Sequence, residues 1–191
     1  MLEYVIEGHD GAAKTPIANG VKKELEKENL TVIVRNTFQM ANALLNHDIY
    51  HLWQNDDNAE LAVNLLKLVV NNIRQEAQEK NADVILYDRH WVTVMGEIQG
   101  RESLQDQWSY FPPTFFIGAP IEKTLECSRF SYEIPWTSSN EVIEQGRQKH
   151  LQIANKYQEH ILGTYEVKTK DQPLNPIIND ITRKILEGYQ W

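Results

Sequence analysis

The stretch Glu7-Gly8-His9-Asp10-Gly11-Ala12-Ala13-Lys14-Thr15-Pro16 has residue types and a spacing that could hold a polyphosphate. A phosphate-binding loop has the form G-x-x-x-x-G-K-[ST] between a strand and a helix. Gly8, Lys14 and Thr15 fit it, and Ala13 stands where the second glycine is expected. In such a loop the backbone of Gly8, Gly11, Ala12 and Ala13 would present N–H groups, with a helix N-terminus behind them. Lys14 would add charge, and Thr15 would offer its hydroxyl to Mg²⁺. Two departures matter. Ala13 is tolerable only with a negative φ and its methyl turned away. Pro16 removes one N–H from the first helical turn and biases Thr15 away from helical backbone, although proline is also a good first-turn residue. An ordinary glycine-rich turn is the alternative. A second candidate is Asp88-Arg89-His90 at the end of an apolar run. It is either part of a ligand site or a buried ion pair that fixes a loop.

The surrounding pattern predicts how these residues are positioned. Leu2–Ile6 reads as a short buried strand, followed by the glycine-rich turn and a helix from about Pro16 to Glu28. Thr31–Arg35 is a second strand. Phe38–Trp53 reads as helical, and polar Gln54–Asn58 breaks it. Glu60–Lys80 is the clearest helix, with Leu61, Leu65, Leu66, Val69, Val70, Ile73 and Ala77 at helical spacing. Asp83–Tyr87 and Thr114–Ile117 are the third and fourth strands. Ile121–Arg129 and Glu141–Leu162 read as helices, Tyr165–Lys168 as a weak fifth strand and Leu174–Leu186 as a closing helix. Alternating strands and helices imply an α/β fold with a mostly parallel sheet covered on both faces. Ligands of such sheets sit outside the carboxyl ends of the strands, where both candidate motifs fall.

The chain of 191 residues suits one domain. With 19 Lys+Arg against 27 Asp+Glu, its formal charge of -8 argues against binding long nucleic acid. A small anion needs only a few local cations and N–H groups. The single Cys127 excludes an intramolecular disulfide and a cysteine-based zinc site. No apolar run approaches the roughly 18 residues of a membrane span. Met1–Glu7 is too short for a signal peptide and carries Glu3, so a cytoplasmic location is expected. His47 and His51 are four apart, a weak metal signal better read as a solvated helix face.

Three motifs in register carry a family resemblance. Ile6-Glu7-Gly8-His9-Asp10-Gly11-Ala12-Ala13-Lys14-Thr15 resembles the E-G-x-D-G-x-G-K-T loop of thymidylate kinases. Leu86-Tyr87-Asp88-Arg89-His90 resembles the D-R-[YFH] motif after that family's third strand. Phe111-Pro112-Pro113-Thr114, with Ala119-Pro120-Ile121-Glu122, resembles its P-D-x-T strand and the helix that follows. Order and spacing match along nearly the whole chain. The resemblance implies a P-loop kinase fold with a five-stranded parallel sheet, helices on both faces and an arginine-bearing lid, here at about 129–147. It implies ATP with Mg²⁺ as donor, a deoxynucleoside monophosphate as acceptor and a possible homodimer. Lys14 would hold the ATP phosphates, Thr15 the metal and Asp88 its water shell. Asp10 would approach the acceptor sugar, Arg89 would clamp the acceptor phosphate, and Arg35 falls where the family has a further arginine. Arg129 falls at the lid entrance, where it would neutralise the transferring phosphoryl.

The departures from the family fall mostly on the acceptor side. Asn36-Thr37-Phe38 replaces Glu-Pro-Gly after Arg35. The base-stacking aromatic of the long helix is replaced near Val63, and the basic residue one turn on is Lys67. Thr93, Glu97 and Ile98 stand where the family has Ser and Tyr-Gln, and Cys127 replaces an adenine-side arginine. Phe38 and Trp53 become candidates to stack a base. Glu97 is a base-reading acceptor or, more simply, a surface acid. The alternatives are a kinase of a nucleoside or modified nucleotide, and a degenerate non-catalytic module that binds a nucleotide or a protein.

Overall fold

The computed structural model describes residues 1–54, 56–128 and 140–189. Five strands form one parallel sheet: β1 (Leu2–Glu7), β2 (Val32–Arg35), β3 (Val84–Asp88), β4 (Thr114–Gly118) and β5 (Ile161–Glu166), in the order β2-β3-β1-β4-β5. The central strands β1 and β3 pair from Leu2↔Val84 to Ile6↔Asp88. All five β3 residues are buried, which matches their near-continuous apolar run.

Helices cover both faces of the sheet. Alternation along β1 sends Tyr4 and Ile6 to one face and Val5 to the other, beside Glu3 and Glu7. Tyr4 and Ile6 meet α1 (Lys14–Lys27) and α8 (Asn175–Tyr189) through Ile17, Val21, Ile181 and Ile185. Val5, with Ile85 and Tyr87, meets α2 (Thr37–Leu45), α3 (Asp56–Glu79), α4 (Trp91–Glu97) and α7 (Asn140–Lys156) through Phe38, Leu66, Trp91 and Ile153. The remaining helices are α5 (Glu102–Gln107) and α6 (Ile121–Ser128). Burying a large apolar side chain contributes about 1.5–3 kcal/mol, so these two layers hold the strand ends in place.

Three stretches depart from the sequence expectation. The helix expected over Phe38–Trp53 ends at Leu45, because Asn46 turns left-handed at φ +50°, and Ile49–Gln54 continues as a 3₁₀ segment. The helix expected over Glu141–Leu162 stops at Lys156, and Ile161–Glu166 is β5, earlier than expected. Pairing with β4 recruits this segment into the sheet as an edge strand with alternately half-buried and exposed side chains. Helix α4 was not anticipated. Its residues from Trp91 to Gly96 are all buried, so no polar face marks it.

Candidate phosphate-binding site

The loop between β1 and α1 is held by close approaches. Gly8 has φ +145°, and a Cβ there would lie 2.0 Å from the Ile117 carbonyl oxygen on β4. Only glycine fits that crossing. Gly11 turns with φ +75°. Ala13 has φ +63° and ψ +29°, which overturns the expectation of a negative φ. Its carbonyl accepts the first helical bond of α1 from Ile17 N–H at 3.1 Å. The left-handed turn therefore starts the helix, at a cost of about 1 kcal/mol for a residue with a Cβ. Pro16 lies in the first turn, where its missing N–H has no intrahelical acceptor, and Thr15 is helical despite preceding it.

Four side chains converge on this loop. Lys14 is 7% exposed, donates to the His9 carbonyl at 2.8 Å and lies 3.9 Å from Asp10. Arg89 makes an ion pair with Asp10. Lys123, on α6, is 4% exposed and donates to the Gly11 carbonyl at 2.6 Å. Thr15 donates its hydroxyl to the Asp88 carboxylate across the gap between α1 and β3. Two hard oxygens on facing elements are a donor set that suits Mg²⁺, which takes few protein ligands and keeps several waters. The chemistry of this pair therefore fits the metal.

Arg89 is fixed by its backbone. It adopts φ +73°, an uncommon conformation for a residue with a side chain. Its N–H donates to the Ile6 carbonyl at 3.1 Å, and its carbonyl accepts from the Thr37 hydroxyl at 2.9 Å. Strand and helix together impose the turn, which aims the guanidinium at the loop.

Behind the loop lies a buried polar chain that the sequence reading did not single out. Glu7, wholly buried, accepts from His90 N–H at 2.6 Å and lies 2.7 Å from the Thr93 hydroxyl. Thr93 lies 3.2 Å from His150 Nε2, and His150 Nδ1 is 2.9 Å from the Gly146 carbonyl. A carbonyl only accepts, so Nδ1 carries the proton. Thr93 donates its hydroxyl to Glu7 Oε1, and Nε2 of the neutral ring lies against the same hydroxyl oxygen. Burial favours both neutral forms: it raises the Glu7 carboxyl and lowers His150 to about 3. His9 packs edge-on against His150 at 5.6 Å and is lowered to about 3 by burial, then by Lys14, Arg89 and Arg147. The chain thus ties β1, α4 and α7 together. Glu7 was legible only as the first residue of the loop motif, and His150 carried no local signal.

The remaining expected residues scatter. Phe38 is 3% exposed and lies beneath Tyr50, so it packs the core instead of presenting a free ring. Trp53 is likewise buried. Thr93 turns inward to Glu7 and His150. Arg35 donates to Glu76 through two guanidinium nitrogens and to the Val34 carbonyl; among the described residues these are its partners. Lys67 lines a cleft of about 310 Å³ with Asn71, Arg74, Trp108 and Tyr110, a different group of residues from those at the loop. His47 and His51 stack on each other at 4.7 Å. Arg129 and most of the expected lid lie outside the described residues, and Asn140–Arg147 begins α7.

The sheet order, the helices on both faces and the loop at the end of β1 are those of a P-loop kinase fold. No family model matches the chain. The probable thymidylate kinase 1 of Saccharolobus solfataricus is 29% identical over 196 residues, covering 94% of this chain and 96% of that protein. This likeness supports nucleotide kinase activity at the level of the family. No helix among the described residues is long and apolar enough to cross a membrane.

Proposed function

We propose that this protein transfers a phosphoryl group from ATP to a nucleotide, most directly a deoxynucleoside monophosphate. The observation that carries the reading is the convergence of Lys14, Thr15, Asp88 and Arg89 at adjoining ends of β1 and β3. Phosphoryl transfer depends on positioning and charge neutralisation more than on covalent chemistry by the protein. Lys14 and the loop N–H groups would hold the donor phosphates. Lys123 would fix the Gly11 peptide so that the loop keeps its shape. Thr15 and Asp88 would hold Mg²⁺, directly or through water, which would supply charge neutralisation at the phosphate oxygens. Arg89 would exchange Asp10 for the acceptor phosphate. The acceptor oxygen is already anionic, so the reaction needs no general base.

The test is ADP release from ATP and Mg²⁺ across deoxynucleoside monophosphates, ribonucleoside monophosphates and nucleosides, with Lys14→Ala as the blank. Acceptor-dependent release is expected in the wild type. Loss of one preorganised cation is expected to lower it by about 100-fold or more. A second reading, a non-catalytic nucleotide-binding module, is favoured by the left-handed Ala13 and by Pro16. It predicts stabilisation by ATP and Mg²⁺ without ADP release for any acceptor.

A further inference from the structure

We infer that Tyr50 is a specificity-determining residue of the acceptor subsite, one that packs its ring against the planar ring of the acceptor nucleotide. This rests on the kinase reading and deepens it. Tyr50 stacks on Phe38 with ring centroids 5.6 Å apart and planes 19° from parallel. Phe38 is 3% exposed, whereas Tyr50 is 37% exposed, so the pair has a buried member and a solvent-facing member. The Tyr50 hydroxyl accepts from Arg89 Nη1 at 3.4 Å. The ring thus begins at the guanidinium proposed to clamp the acceptor phosphate and runs away from it. A ligand anchored there by its phosphate would carry its ring out along Tyr50.

The segment that presents Tyr50 is anchored on its other side. Ile49 N–H donates to the Asn42 side chain at 2.8 Å, and Tyr50 N–H to the Asp48 carboxylate at 3.0 Å. Ile49 and Trp53 are buried, at 0% and 5% exposure. Tyr50 therefore faces outward from a fixed support, with two rotatable side-chain bonds and one ring face already packed. Stacking on such a preorganised ring costs little ordering.

The test is calorimetric binding of nucleoside 5′-monophosphates, with deoxyribose 5-phosphate as a ringless probe, to wild type, Tyr50→Ala and Tyr50→Phe. Tyr50→Ala is expected to weaken the nucleotides by about 10-fold or more, in line with base–aromatic stacking, and to leave the ringless probe unchanged. Tyr50→Phe keeps the ring and is expected to stay within about threefold on the same grounds. Binding of ATP with Mg²⁺ checks that each variant is folded. Equal weakening of the ringless probe, or no change for any nucleotide, would overturn the inference. Parallel ADP-release assays separate it from the kinase reading. Transfer with an unaltered acceptor KM in Tyr50→Ala overturns the Tyr50 role alone. Ring-dependent nucleotide binding without transfer overturns the kinase reading alone.

Discussion

The proposed donor side and the proposed acceptor side of the site are built differently. The proposed donor side is a continuous loop, Gly8–Thr15, closed by backbone turns and braced from behind by Glu7, Thr93, His150 and Lys123. The proposed acceptor side is assembled from α2 with the adjoining 3₁₀ segment Ile49–Gln54 and from the turn at Arg89, which is distant from them in sequence. A site whose shape comes from backbone geometry tolerates Ala for Gly at position 13 by adopting the required φ. A site whose shape comes from side chains depends on which partner each side chain takes, and Arg35 takes Glu76.

The strongest way to sharpen that contrast is to remove each arginine in turn. Arg89→Ala is expected to raise the acceptor KM by about 100-fold, the scale of losing charge-assisted hydrogen bonds to a phosphate, with a smaller effect on ATP. Arg35→Ala removes a half-exposed pair with Glu76 and is expected to cost under about 1 kcal/mol of stability and to leave acceptor KM within about threefold. Steady-state kinetics with both substrates varied checks this, and equal effects of the two variants would break the distinction.

Acid should reveal the brace behind the loop. His9, His90 and His150 are each lowered from 6.5 to about 3, chiefly by burial. Their neutral forms stabilise the fold fully above pH 6.5, and that stability is lost as pH falls from 6.5 toward 3. Each histidine contributes on the order of 1 kcal/mol per pH unit over that window. Glu7, raised by burial, runs the other way: the folded form holds its proton as pH rises above the ordinary value of 4.5, which offsets part of the loss. Urea midpoints between pH 7 and pH 4 measure the net slope. His90 adds a separate test, because among the described residues neither of its ring nitrogens has a hydrogen-bond partner. His90→Phe is expected to raise stability at pH 7 by about 1–3 kcal/mol and to flatten the acid slope. A lower midpoint would contradict its assignment as a buried, unpaired ring.

The same contrast explains what could be read in the sequence. The first four strands and the loop after β1 were legible because Gly8, Lys14, Thr15, Asp88 and Arg89 lie at strand ends that apolar runs announce. The fifth strand was misplaced because pairing with β4, a long-range event, selects Ile161–Glu166. Tyr50 and Lys123 went unnoticed because nothing local distinguishes an outward tyrosine or a buried lysine from ordinary helix residues. Their meaning comes from Phe38, Arg89 and Gly11, which only the fold brings near.

The smallest effect belongs to the loop itself. Ala13→Gly relieves a left-handed residue of its Cβ but adds backbone freedom to the unfolded chain. The net is expected to be about 0.5 kcal/mol of added stability by urea titration. A loss of stability would mean that the Ala13 methyl makes packing contacts worth more than its strain.

The central claim is that one site holds donor and acceptor phosphates together, the first at Lys14 and the second at Arg89. A dinucleoside polyphosphate that joins adenosine to an acceptor nucleoside spans both. Its affinity, measured by calorimetry for wild type, Lys14→Ala and Arg89→Ala, tests the claim most directly. The account predicts tighter binding than either nucleotide alone, weakened by each substitution separately. Binding no tighter than ATP, or insensitive to Arg89→Ala, would contradict it.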